Sequence, residues 1–162
     1  MSKRDELIRA MNPKNGKTWS AEAQALNLAL FDQAAAMPDG WTMTYDVCDD
    51  DTEHSPNNRA IFAAEHKAHV RNSLAARVDR FGDDDDKADL AAMPDGGDHV
   101  LIVLKHESGA VVRRWANRDE LRDAKAPSGR VTLAARKDAI QSHIDAALTL
   151  GAARVKQRGG KS

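Results

Sequence analysis

Residues 45–58, YDVCDDDTEHSPNN, crowd Asp46, Asp49, Asp50, Asp51 and Glu53 beside the only cysteine, Cys48, and beside His54. Carboxylates, a thiol and an imidazole are ligand types for a divalent metal, so the first question is whether their spacing suits an ion. A calcium loop needs oxygen ligands at alternating positions around a glycine turn, with a glutamate at the twelfth place. Neither DVCDDDTEH at 46–54 nor GDDDDKADL at 82–90 has that pattern. The first stretch therefore reads as a solvated loop whose Glu53 lies near the positive N-terminal end of a helix started by Ser55-Pro56. Asp83 to Asp86 read in the same way, as the cap and first turn of a short helix. DDDDK at 83–87 also matches the recognition sequence of enterokinase, which in the middle of a chain is taken as coincidence.

His66 and His69 stand three residues apart in AEHKAHV, a helical spacing at which two imidazoles reach one ion, and Glu65 is four residues before His69. His54, Cys48 or the aspartates would have to complete the set. The zinc-protease pattern HExxH puts a glutamate directly after its first histidine, and this stretch lacks it. His54 and the asparagines after it lack the spacing of a ββα-metal nuclease. His54, His66 and His69 are thus the residues a metal would use; no metal is favoured and no cofactor is expected. Nucleophilic chemistry finds no GxSxG, no GxxxxGK[ST] and no GxGxxG after a strand. Cys48, at a strand end beside acids that raise a thiol pKa, reads as a small half-buried apolar residue. No catalytic residue is assigned, and the chain reads as more consistent with a binding protein than with an enzyme.

The charge distribution carries more information than any motif. The net charge is −1 over 162 residues. Residues 1–98 hold 11 Lys/Arg against 19 Asp/Glu, net −8, while residues 99–162 hold 13 against 6, net +7. Arg113, Arg114, Arg118, Arg122 and Arg130 lie between a predicted hairpin and the last helix, and Arg136 and Lys137 follow. Together they are the candidate basic surface, with Trp115 placed to stack on a base. Three uses compete: contact with a nucleic acid, self-association of acidic with basic faces, and pairing of the two halves inside the fold. In AVVRRW alternate side chains face opposite ways, so Arg113 and Arg114 cannot share a face and Trp115 reads as core.

These residues need elements to position them. Ser2 can cap a helix running to Met11, which Asn12-Pro13 and Asn15-Gly16 break. Trp19, Ala23, Leu26, Leu30, Ala34 and Met37 recur at steps of three and four, the stripe of an amphipathic helix over 19–36. MPDG then turns the chain into a strand, WTMTYDV. A helix from Pro56 to Phe81 places Ala63, Val70, Leu74, Val78 and Phe81 on its core side. The hexapeptide AAMPDG at 35–40 recurs at 91–96 without any wider duplication, a local device that ends a helix and starts a strand. HVLIVLK at 99–105 and AVVRRW at 110–115 make a hairpin turned by Ser108-Gly109. Asn117 with Glu120 has capping-box spacing for a short helix, Pro127-Ser128-Gly129 stops it, and a last helix spans Thr132 to Val155.

The expected fold is α+β in the order ααβαββαα, with a small sheet of about three strands including the hairpin at 99–116. Residues 1–155 form one domain and 156–162 a flexible basic tail. No apolar run approaches the ~18 residues of a membrane span, and MSKRDELIRA is no signal peptide, so a cytoplasmic protein is expected. Twenty-eight alanines and an excess of arginine over lysine fit a GC-rich bacterial, phage or mobile-element gene. The leading functional expectation is a non-enzymatic accessory protein that binds another macromolecule, through a protein partner or self-association. The alternatives are nucleic-acid binding by the basic C-terminal half and a metal-dependent hydrolase using the histidines.

Overall fold

A computed structural model describes residues 1–16, 18–48, 60–95 and 97–159. Side-chain caps set most of the element boundaries, because the first amides of a helix lack backbone acceptors. The Ser2 hydroxyl accepts the Asp5 amide at 3.1 Å to start α1, Lys3–Met11. Ser20 accepts the Ala23 amide at 3.1 Å to start α2, Ala21–Ala35, and leaves Trp19 and Met37 just outside the helix predicted over 19–36. Gly40 takes φ 86°, a conformation open to glycine, to end the MPDG turn before β1, Trp41–Cys48. Helix α3 spans Ala60–Phe81; the Ser55-Pro56 start, Asp49 to Glu53 and His54 lie outside the described residues.

The Asp83 carboxylate accepts the amides of Asp85 and Asp86 at 2.8 and 3.2 Å and so starts α4, Asp84–Ala91, as its acidic run predicts. This helix is an element more than the expected order contains. The hairpin follows as β2, His99–His106, and β3, Val111–Asn117, through a turn in which Gly109 has φ 97°. Asn117 caps α5, Arg118–Arg122, by accepting the Glu120 amide at 3.0 Å. Thr132 accepts the Ala135 amide at 3.0 Å at the start of α6, Leu133–Gly159, so residues 156–159, predicted as tail, are helical.

The fold is α+β, and the three strands form one antiparallel sheet in the order β1-β2-β3. Side chains alternate across it. One face carries Met43, Val100, Ile102, Leu104, Val112 and Ala116 against Leu26, Ala29 and Leu30 of α2, Leu121 of α5 and Ile140, Ile144 and Ala147 of α6. Full burial of each large aliphatic side chain there is worth about 1.5–3 kcal/mol, which makes this layer the main source of stability. At its β1 end, the Trp41 ring lies where α6 has no side chain: a Cβ on Gly151 would stand 2.4 Å from Trp41. The opposite face carries Cys48, His99, Leu101, Arg113 and Trp115, with α3 and α4 packed on that side.

Among the described side chains, helix α3 departs from its predicted face at one residue; the side chain of Ala63 lies outside them. Leu74 is buried and Val70 and Val78 are half-buried, but Phe81 is 62% exposed. It is the last residue of the helix, and the guanidinium groups of Arg77 and Arg80 each lie 5.3 Å from its ring centre. Helical spacing keeps Phe81 in line with Leu74 but says nothing about where the surface beneath the helix ends.

Candidate functional site

Helix α4 brings Asp85, Asp86 and Asp89 to the outer edge of β3, since positions three and four apart share one helical face. The Asp89 carboxylate accepts the Arg113 amide at 3.1 Å, Arg154 Nη1 at 3.1 Å and Arg154 Nη2 at 3.0 Å. Its own carbonyl accepts the Trp115 indole N–H at 2.9 Å. Asp86 accepts Arg77 Nε at 2.7 Å and Arg113 Nη1 at 2.6 Å. Arg154, reaching from α6, also donates to the Val111 carbonyl at 2.8 Å and pairs with Asp85 at 3.4 Å. Asp86, Asp89 and Arg154 are each less than 5% exposed, and groups so buried are tolerable as ions only when paired this fully. Burial alone would raise the Asp86 pKa, but hydrogen bonds and charge from Arg113 and Arg77 win and hold it below the usual carboxylate value.

The remaining basic residues do not converge on one patch. Arg114, on the other face of β3 as strand alternation requires, donates from Nε to His143 Nδ1 at 2.8 Å. Burial first, then the Arg114 charge, pushes His143 below its ordinary pKa, against a smaller opposing pull from Glu120. Arg118 is buried with Asp98 and Asp119 at 3.2 and 3.0 Å. Arg122 pairs with Asp123 at 3.2 Å and Asp119 at 3.4 Å, and Arg136 donates to the Arg122 carbonyl at 2.7 Å. Lys137 pairs with Asp32 at 3.1 Å, a carboxylate that also pairs with Arg4 at 2.9 Å. Arg130 stands exposed on the turn that Gly129 closes. The acidic and basic halves thus meet inside the fold.

A cleft of about 450 Å³ opens between α3 and the sheet. Leu101, Trp115, Val70 and Leu74 give it apolar walls, and Asp46, His69, Ser73, Arg77 and Arg113 supply the polar groups. His69 is exposed, and its Nε2 lies 3.5 Å from Ser73 Oγ, beyond the roughly 2.6–3.2 Å of an activated nucleophile and base. His54 and the side chain of His66 lie outside the described residues. Among the described residues no three His, Cys, Asp or Glu side chains gather to hold an ion. Cys48 is fully buried, deeper than the half-buried setting predicted for it.

The two edges of the sheet differ. In the hairpin, His106 N–H donates to the Ala110 carbonyl at 2.9 Å, which fixes the alternation: even-numbered residues of β3 bond to β2, and odd-numbered ones turn their amides and carbonyls outward. On that edge the Arg113 amide meets Asp89 and the Val111 carbonyl meets Arg154, so side chains stand where a further strand would. The same counting applies to β1. Glu107 N–H donates to the Gly40 carbonyl at 2.9 Å, so even-numbered residues of β1 bond to β2 while Met43, Tyr45 and Val47 direct their backbone groups away. Among the described residues no side chain or backbone group bonds to those three. The Thr42 and Thr44 side chains beside them are exposed, Tyr45 and Val47 are half-buried, and Met43 is buried against the core.

Strand alternation separates Arg113 from Arg114, as the sequence predicts, and Trp115 is half-buried rather than fully in the core. Sequence reasoning missed Asp86 and Asp89 as partners of Arg113. Their signal was present, as two acids at i and i+3 in a helix preceding a strand that carries paired arginines. No family model matches the chain, and neither the curated proteins nor the solved structures compared with it include a match. Among the described residues no helix is long and apolar enough to cross a membrane.

Proposed function

We propose that the chain is a non-enzymatic accessory protein that acts by contact with another polypeptide, and that the outer edge of β1 is its contact surface. The observation that carries this reading is the contrast between the edges: β3 is closed by Asp89 and Arg154, while the outward amides and carbonyls of Met43, Tyr45 and Val47 have no partner among the described residues. An unpaired strand edge is a template for an added strand, in which backbone bonds give affinity and alternate side chains give selectivity. The exposed Phe81 under two guanidinium groups is a second surface of the aromatic and arginine type enriched in protein contacts.

Nucleic-acid binding by the basic half draws less support, because Arg113, Arg118, Arg122 and Lys137 are already committed to carboxylates. Retained nucleic acid with a steep salt dependence would favour it instead. A metal-dependent hydrolase would require thermal stabilisation by added zinc or manganese, since an ion bound only by the folded state must stabilise it. Amide hydrogen exchange on the dilute chain tests the leading reading. Met43, Tyr45 and Val47 should exchange fast while Arg113 is protected; slow exchange at all three, or sustained turnover of any substrate, would remove it.

A further inference from the structure

We infer that the partner of the β1 edge is a second copy of β1, paired antiparallel about a two-fold axis at Thr44; this rests on the reading of that edge as a contact surface. Apart from the single charge of Asp46, the strand itself carries none of the devices that keep edges apart: WTMTYDVC contains no lysine, no proline and no glycine, and its register with β2 runs through all eight residues without a bulge. Because the outward groups must meet each other, two antiparallel self-registers are allowed, centred on Thr44 or on Tyr45 and equal in length. The first sets Thr44 opposite its own copy, Met43 opposite Tyr45, Thr42 opposite Asp46 and Trp41 opposite Val47, and cross-strand chemistry selects it. Thr–Thr and aromatic–β-branched pairs are among the cross-strand pairs that stabilise sheets. The only charged side chain of the strand, Asp46, meets a threonine hydroxyl rather than a like charge.

The hydrogen-bonding pattern agrees. The outward groups of β1 belong to odd-numbered residues, so the bonded pairs across the axis are Met43 with Tyr45 and Trp41 with Val47, and Thr44 meets its copy at a non-bonded, close pair. A two-fold interface of this kind closes on itself, and it joins two three-stranded sheets into one of six strands with β3 at both outer ends. Both outer ends are then edges that Asp89 and Arg154 already close. The contact contains no ion pair, so it should be insensitive to salt, unlike an association of acidic with basic faces.

The test is sedimentation of the full chain over a concentration series, at low and high salt, beside Thr44→Lys. Thr44 is exposed, so the lysine leaves the monomer fold intact while setting two ammonium groups against each other on the axis. Wild type should reach twice the 17.7 kDa chain mass at both salts, and Thr44→Lys should stay at 17.7 kDa with unchanged circular dichroism and melting temperature. Oxidised Thr44→Cys should run as a covalent dimer where wild type, with Cys48 buried, does not, because a close antiparallel pair falls in the roughly 4.4–6.8 Å Cα range of a disulfide. A dimer that survives Thr44→Lys, or that Thr44→Cys does not trap, places the contact elsewhere and overturns the inference. A wild-type monomer also overturns it, and hydrogen exchange on that monomer separates the two ideas. Fast exchange at Met43, Tyr45 and Val47 keeps the edge open for another polypeptide, and slow exchange removes the contact-surface reading as well.

Discussion

The two outer strands hold their places by opposite means. Strand β3 is clamped by charge: the Asp89 carboxylate of α4 accepts its outward Arg113 amide, the Arg154 guanidinium of α6 donates to its outward Val111 carbonyl, and Asp86 ties the Arg113 side chain to Arg77 of α3. Strand β1 is held by its ladder with β2 and by apolar contact beneath it, where Met43 joins the core and Trp41 rests on Gly151. A buried ionic clamp fixes geometry but is fragile to loss of any member, whereas a packed strand tolerates charge changes and fails by steric misfit. The molecule shows that closing a sheet edge needs no further strand, only side chains aimed at its backbone.

Breaking the β3 side should have the largest effect. Asp89→Ala leaves Arg154 buried without its main partner and frees the Arg113 amide, which should cost about 3–5 kcal/mol in urea unfolding. Enterokinase gives a second readout of the same change. In the native chain DDDDK is locked, with Asp83 capping and Asp86 paired, so cleavage after Lys87 should be slow and should accelerate about 100-fold or more in the variant, tracking the opened population. Equal cleavage of both proteins would show that α4 is not held by Asp89.

Breaking the β1 side works through shape. Gly151→Ala sets a methyl 2.4 Å from the Trp41 ring. The overpacking should cost about 1–3 kcal/mol, even though alanine is the better helix former by about 1 kcal/mol. A neutral or stabilised variant would mean that Trp41 moves aside freely.

Acid separates the two sides more gently. The native His143 pKa lies below its unfolded value, so the folded state binds fewer protons in that window. Its contribution is present above the ordinary histidine value near 6.5 and is lost as pH falls through the lower native value. Unfolding midpoints should therefore fall as the pH drops below about 6.5, and His143→Gln should flatten that slope. Asp86 and Asp32, both held below the usual carboxylate value, add a second decline at lower pH, below about 4. The smallest effect belongs to the cleft: His69→Ala, an exposed side chain with one long contact, should change stability by less than about 0.5 kcal/mol.

What the sequence made legible is local chemistry. Ser2, Asp83 and Asn117 cap helices because a side-chain oxygen near free amides needs no distant partner, and Ser108-Gly109 turns the hairpin for a similar reason. What it hid is relational. Asp89 and Arg154 are 65 residues apart, and no spacing rule joins them. Phe81 follows the periodicity of Leu74, yet the helix outruns the surface it covers. Arg113, Arg118 and Arg122 read as a basic patch because charge was counted along the chain, while pairing happens across it. The β1 edge, unpaired among the described residues, was illegible for the same reason: which strand is outermost depends on strand order, and WTMTYDV alternates alike in a central or an outer place.

The register of the sheet also sets an order in time. Strands β2 and β3 meet across a turn of four residues, 107–110, whereas β1 reaches β2 only by closing a loop of about 50 residues between Cys48 and His99. Loop-closure entropy makes that meeting about 2 kcal/mol costlier, so β1 should dock after the hairpin has formed. Folding-rate changes should then be small for substitutions at Thr42 and large for those in the hairpin, and the reverse would reject this sequence of events. Until β1 docks, the β2 edge is uncovered, and the nascent chain is most open to misassembly during that interval.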